Sequence, residues 1–300
     1  MRRSTITLAV AAMLVLLGSG CGPGGSGSLG RVPADPPAAG PTTGAPASPA
    51  APADPADPAT PDPSGPAEPS GDPDRTVAIQ IWLTRAGQVF PTSRTRPYTV
   101  ATSRLALTEL IAGPTAVERA AGLRTGLATG TSFEVSIASG VATVDLPGAF
   151  YAGGREAARL RQAQVVFTLT EFPSVSRVGF QSGGRPQAAP VGRAGYDDLL
   201  PLIVVTSPAI GRRVTGPVTV AGTANVFEAT VSIRILDRSG VPLATTFTTA
   251  TCGTGCRGDY STAVGFRVPA EQPGTVQVYM VSPEDGSPTH VVDIPVTLLR

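Results

Sequence analysis

Asp145 and Glu171 are the carboxylates best placed for acid–base work, since one closes a predicted strand and the other a predicted helix. Glycoside hydrolysis would need such a pair about 5 to 9.5 Å apart across a cleft. The competing reading of both is local capping or turn hydrogen bonding. His290 is the one histidine. A Ser-His-Asp triad would need it beside a Ser and an Asp, and no G-x-S-x-G elbow supplies the nucleophile. Cys21, Cys252 and Cys256 are the three cysteines, fewer than the four Cys or His ligands of structural zinc. No metal and no cofactor is expected. Cys252-Gly-Thr-Gly-Cys256 predicts a disulfide outside the membrane; the redox motif C-x-x-C is spaced differently. Arg257-Gly258-Asp259 follows directly, an RGD tripeptide that on an exposed loop would mimic an adhesion ligand. Arg155, Arg159 and Arg161 form a candidate basic patch for a polyanionic partner, set against a plain solvated helix face. Glu228 is a further candidate contact, or a partner for an Arg or for backbone donors at a strand crossover.

The composition limits what these groups can serve. Charged residues make up 15% of the 300 residues, the formal net charge is +1, and all 23 basic residues are Arg. A general nucleic-acid binder would show a clustered basic face, so nucleic acid is not an expected partner. Aromatic content is 5% with one Trp, Trp82, in a predicted strand, a poor supply for an aromatic sugar platform.

The N-terminus reads as an address. Arg2 and Arg3 precede the apolar stretch Ile6 to Leu17, too short for a membrane span of about 20 residues and suited to a signal-peptide core. Leu17-Gly-Ser-Gly-Cys21 resembles a bacterial lipobox, with Gly18 at the position usually held by Leu. Residues 1–20 are therefore expected to be a lipoprotein signal peptide and Cys21 the lipidation site; the alternative is a secreted protein with a free thiol there. Two acyl chains suffice for stable anchoring. Residues 21–74 are rich in Pro, Ala and Gly, with Asp-Pro recurring five times, and read as a disordered tether.

The remaining chain divides in two. Residues 75–200 mix periods. Val77, Ile79, Ile81 and Leu83 alternate as a strand, and Thr99 to Ala101 suggests another. Ser103 to Ala112 reads as a helix capped by Thr102 or Ser103 and stopped by Gly113-Pro114. A hairpin follows through Ser139-Gly140, then a helix over Arg155 to Glu171 and a strand over Val175 to Phe180. The expected fold is α+β, with helices on one face of a small sheet. This segment has 13 Arg against 8 acids, net +5. Residues 201–300 show no helical period but seven short strands between turns, an immunoglobulin-like sandwich. Phe227 reads as a core plug within it.

Three motifs in order then become recognisable: Leu107-Thr-Glu-Leu110-Ile-Ala-Gly113-Pro114-Thr115, Val141-Ala-Thr-Val144-Asp145-Leu146 ahead of Phe150, and Gln164 to Val175 ahead of Val178-Gly-Phe180. They resemble the GerMN domain of spore-germination and sporulation proteins and of actinobacterial envelope lipoproteins. Val218 to Val231, with Ser282-Pro283-Glu-Asp285-Gly286-Ser287, is similar to the immunoglobulin-like domain of bacterial spore germination. The resemblance implies two modules without accepted catalytic residues. The expected organisation is multidomain: tether, α+β GerMN-like domain, then all-β sandwich. The expected role is a non-catalytic binding or assembly module, lipid-anchored on the extracytoplasmic face of the cell membrane and linked to sporulation or germination. Its partner would be an envelope protein or a cell-wall polymer. A cell-wall glycan-binding module is the alternative, and a cell-wall hydrolase the third reading.

Overall fold

The computed structural model describes residues 75–300. The expected signal peptide, Cys21 and the tether lie outside the described residues.

The first domain opens with the hairpin β1 (Thr76–Arg85) and β2 (Gln88–Pro97), paired in unbroken antiparallel register from Thr76↔Pro97 to Arg85↔Gln88. The turn between them uses Ala86 and Gly87, both at positive φ. β2 carries Thr-Ser-Arg-Thr-Arg where apolar alternation would mark a strand, so periodicity does not reveal it; instead its inward Arg94 is buried by ion pairing. Thr99 to Ala101 is not a strand.

Helix α1 (Thr102–Ala112) buries Ala106, Leu107, Leu110 and Ile111. Its N-cap is Ala101, without a side-chain cap, so neither Thr102 nor Ser103 caps it. Gly113 ends it at φ 77°, a conformation open to glycine. Pro114-Thr115 then starts the short helix α2 (Ala116–Ala120) through a capping box: Thr115 Oγ1 accepts from the Glu118 N–H, and Glu118 accepts from the Thr115 N–H.

The hairpin β3 (Glu134–Ala138) and β4 (Val141–Asp145) turns at Ser139-Gly140 as expected. Helix α3 (Arg155–Leu169) crosses to β5 (Arg177–Ser182), which pairs parallel to β4. β6 (Arg185–Pro186) closes a sheet in the order β3-β4-β5-β6. Helices α1 and α3 pack on β1, burying Trp82 against Phe167 at 4.8 Å between ring centroids. The fold is α+β, as the mixed periods imply.

α3 also completes the free edge of β1. Thr168 Oγ1 accepts from the Trp82 N–H at 3.0 Å, and Gln164 Nε2 donates to the Trp82 carbonyl at 3.1 Å. Both side chains are fully buried. Unpaired strand-edge groups are costly inside a protein, and these two residues pair them.

The second domain is a two-sheet sandwich. β7 (Ile203–Ser207), β8 (Arg213–Val214), β9 (Val218–Ala224), β10 (Thr230–Leu236), β11 (Pro242–Thr249), β12 (Gly258–Val264), β13 (Gln272–Val281) and β14 (Pro288–Leu298) form sheets in the orders β11-β10-β13-β14-β8 and β12-β9-β7. Alternate residues fill the space between, among them Val220, Val231, Ile233, Ile235, Val276, Val278 and Ile294. Seven of these eight strands coincide with the apolar runs of the sequence; β8, two residues long, does not announce itself.

Phe227 is not a core plug, being 49% exposed. Glu228 and Ala229 both take positive φ (52° and 56°), and this turn puts Val226 in the core and Phe227 outside.

Candidate functional site

The two domains meet along a cleft of about 360 Å³. The first domain supplies Trp82 from β1, Phe167 and Glu171 from α3 and the turn after it, and Arg193 and Asp197 from the 3₁₀ segment Arg193–Leu199. The second supplies Thr223, Arg257 and Asp259 from the outer face of β9 and the start of β12.

At its floor, Glu171 Oε1 accepts from Trp82 Nε1 at 2.9 Å and from Arg193 Nη2 at 2.5 Å. Arg193 also donates to Thr170 Oγ1 at 2.7 Å and to the Phe167 carbonyl, and its guanidinium lies 5.6 Å from the Trp82 ring and 5.2 Å from that of Phe167. Cation, carboxylate and two rings thus hold one another in place. Thr170 Oγ1 meanwhile donates back to the Val166 carbonyl, the back-bonding its place at a helix end favours.

On the opposite wall Arg257 turns inward. Its Nη2 donates to the Pro201 carbonyl at 2.7 Å and its Nη1 to Thr223 Oγ1 at 3.2 Å, so it grips the linker between the domains. Burial draws its pKa below the usual guanidinium value, partly offset by the charge of Asp197. Gly258 is buried with its Cα hydrogen against the Cys252 backbone, where a Cβ would collide. The Arg-Gly-Asp tripeptide is therefore a structural tie and not a displayed ligand. Arg85 donating to the Asp293 carbonyl at 3.2 Å and Gln88 donating to the Leu200 carbonyl at 3.3 Å extend the junction.

The two suspected acids are not brought together. Glu171 lines the interdomain cleft, whereas Asp145 lines grooves beside β3 and β4. Asp145 accepts from the Gly183 and Gly184 N–H groups at 2.9 and 2.5 Å, clamping the tight turn into β6. Both glycines stand at positive φ (58° and 76°), which such a two-residue turn requires. His290, exposed at φ 51° in β14, makes no side-chain hydrogen bond among the described residues.

Of the candidate basic patch, Arg155 begins α3 and is exposed. Arg159 forms a two-pronged pair with Asp198 at 2.6 and 2.7 Å. Hydrogen bonding from Arg159 is the main reason the Asp198 pKa lies below its usual value. Arg161 donates to the carbonyls of Phe150 and Ala152. Two of the three guanidiniums are thereby committed within the domain. Glu228 pairs with no Arg; its N–H donates to Thr254 Oγ1 at 3.2 Å.

That contact belongs to a brace around the disulfide. Cys252 and Cys256 are bonded. Their loop donates from the Thr254 N–H to the Val226 carbonyl and from the Gly255 N–H to Asn225 Oδ1, each at 3.0 Å, holding the left-handed turn at Glu228 and Ala229. A bond across so short a loop stabilises by about 2 kcal/mol through chain entropy. Replacing both cysteines by Ala should lower unfolding free energy by no more than about 2 kcal/mol. Denaturant melts check this, and complete unfolding of the double variant would contradict it.

Arg193 and Arg257 stand in segments of the sequence without periodicity, so no sequence signal marks the cleft. Only the fold brings them to the same place.

The protein is an α+β domain docked on an immunoglobulin-like sandwich. Residues 74–188 match the family described as sporulation and spore germination, and residues 202–287 the immunoglobulin-like domain of bacterial spore germination. The chain thus matches these two family descriptions in tandem, one in each folded domain. Among solved structures, the tandem GerMN domains of the sporulation protein GerM from Bacillus subtilis are similar at 20% identity and a TM-score of 0.35, over 75% of this chain and 61% of that one. The first GerMN domain of the same protein is similar at 25% identity and a TM-score of 0.31, over 39% of this chain and 90% of that one. No curated protein matches.

Proposed function

We propose that this protein is a lipid-anchored, non-catalytic binding or assembly module on the outer face of the cell membrane, acting in sporulation or germination. The observation that carries the reading is the pair of family matches in tandem, covering both folded domains. It is supported by the use of the charged groups. Glu171, Arg193 and Arg257 join elements and domains to one another, and Asp145 closes a turn. The partner is an envelope protein or a cell-wall polymer reached by a tether from Cys21. Wall glycan is the alternative ligand, and the buried Trp82, 3% exposed, is unavailable as a stacking platform for it.

Anchoring has a direct test. Cys21→Ala should release the protein from the membrane fraction or leave an uncleaved precursor. Unchanged fractionation together with an unchanged mature N-terminal mass would remove the anchor from this account.

A further inference from the structure

The five-stranded sheet of the sandwich ends in β11, whose outer edge pairs with no strand of the described residues. Its alternate residues Leu243, Thr245, Phe247 and Thr249 are exposed, and Phe247, at 69%, is the most exposed aromatic ring among the described residues. Proteins usually guard such an edge with charge, a bulge or a covering loop. β11 has no charged residue, whereas β3 carries Glu134, β6 Arg185, β8 Arg213 and β12 Asp259. β7 is also uncharged, but Ile203, Val204 and Val205 are buried.

The sequence of the edge has a symmetry of its own. Ala244-Thr245-Thr246-Phe247-Thr248-Thr249-Ala250 reads the same in both directions, centred on Phe247. Two antiparallel copies in the register centred on Phe247 would set Phe against Phe, Thr against Thr and Ala against Ala. Aromatic and Thr–Thr cross-strand pairs are favourable, and no like charges oppose one another.

The backbone is phased for this register. β10 and β11 pair as Thr230↔Thr249 and Ser232↔Phe247, and the Ala250 N–H donates to the Ala229 carbonyl at 2.8 Å. That bond makes Thr230↔Thr249 a non-hydrogen-bonded pair, and by alternation Ser232↔Phe247 another. The N–H and C=O of Thr245, Phe247 and Thr249 consequently point away from β10, to the open edge. A two-fold axis at Phe247 lets its N–H and C=O exchange both hydrogen bonds with their copies. Had the palindrome been centred one residue away, its central amide would face β10.

We propose that β11 is a self-association edge: two copies of this chain join through antiparallel β11 strands about a two-fold axis at Phe247, making one continuous ten-stranded sheet. Such an interface is isologous and closes on itself. Two copies of whatever each chain binds are thereby brought together.

The test uses the full chain. At about 0.1 mM, well above the Kd of about 10 µM suited to a small interface, sedimentation should give a protein mass of two chains. Phe247→Glu and Phe247→Lys should each weaken self-association at least about tenfold, because like charges then face each other across the axis. An equimolar mixture of the two variants should recover the dimer. As a second readout, Phe247→Cys should link to a second chain through a short thiol cross-linker. Thr245→Cys should not, since its copy lies about 13 Å away in this register. A wild-type monomer, a dimer indifferent to both charges, or equal cross-linking at the two positions would overturn the proposal. A monomer that retains a different protein on β11 would overturn it equally.

Discussion

Glu118→Ala should be among the most destabilising single substitutions in the first domain, by about 3–5 kcal/mol. Glu118 is 2% exposed. It accepts from both terminal nitrogens of Arg94 and from Thr92 Oγ1, and it closes the capping box of α2 by accepting from the Thr115 N–H at 2.8 Å. Arg94 is itself buried, and its Nε lies 3.6 Å from Glu109, which holds Arg96 by two bonds of 2.7 Å. Removing the Glu118 carboxylate leaves the buried Arg94 guanidinium with weaker partners such as Glu109 at 3.6 Å and the Gly113 carbonyl at 3.4 Å. Burial is the largest single influence on the Glu118 pKa and pushes it up, but hydrogen bonds from Arg94, Thr92 and Thr115 and the Arg94 charge outweigh it. The net pKa lies below the ordinary 4.5. A carboxyl with a depressed folded pKa stabilises fully above its unfolded pKa, and that contribution is lost as pH falls through the folded value. Unfolding free energy measured from pH 6 downward should therefore decline below about pH 4.5, and Glu118→Gln should flatten that decline. An Ala variant within about 1 kcal/mol of wild type would show that the network contributes little.

Trp82→Ala should cost about 3–5 kcal/mol, the range for emptying a large buried ring site. Its ring packs on Phe167, its indole N–H is bound by Glu171, and its backbone is the segment of β1 tied to α3 by Gln164 and Thr168. Trp82→Phe keeps most of the packing and drops the donor, so it should cost about 1–2 kcal/mol. Equal losses for Ala and Phe, read from denaturant unfolding, would mean that the hydrogen bond to Glu171 and not the packing dominates.

The alternating apolar strands of the sandwich were legible in the sequence because each buries one face against the facing sheet, and period two follows from that geometry. The β3–β4 hairpin and the stop at Gly113-Pro114 were legible for equally local reasons. β2 was not: Thr92 and Arg94 point inward as polar residues made acceptable by Glu118, a partner 24 residues beyond Arg94. The exposure of Phe227 is not legible because hydrophobicity says nothing of the left-handed turn beside it. The interdomain cleft was illegible for the same kind of reason. Trp82, Glu171, Arg193 and Arg257 are spread over more than 170 residues, and no spacing rule relates them.

The proposed role is association without chemistry, and one measurement bears on it directly. The full chain is incubated with isolated cell envelope, and both the retained protein and the soluble sugar and peptide products are followed in time. Saturable retention with no release of soluble fragments is expected. Time-dependent release of fragments, abolished in a folded Glu171→Ala or Asp145→Ala variant, would contradict it.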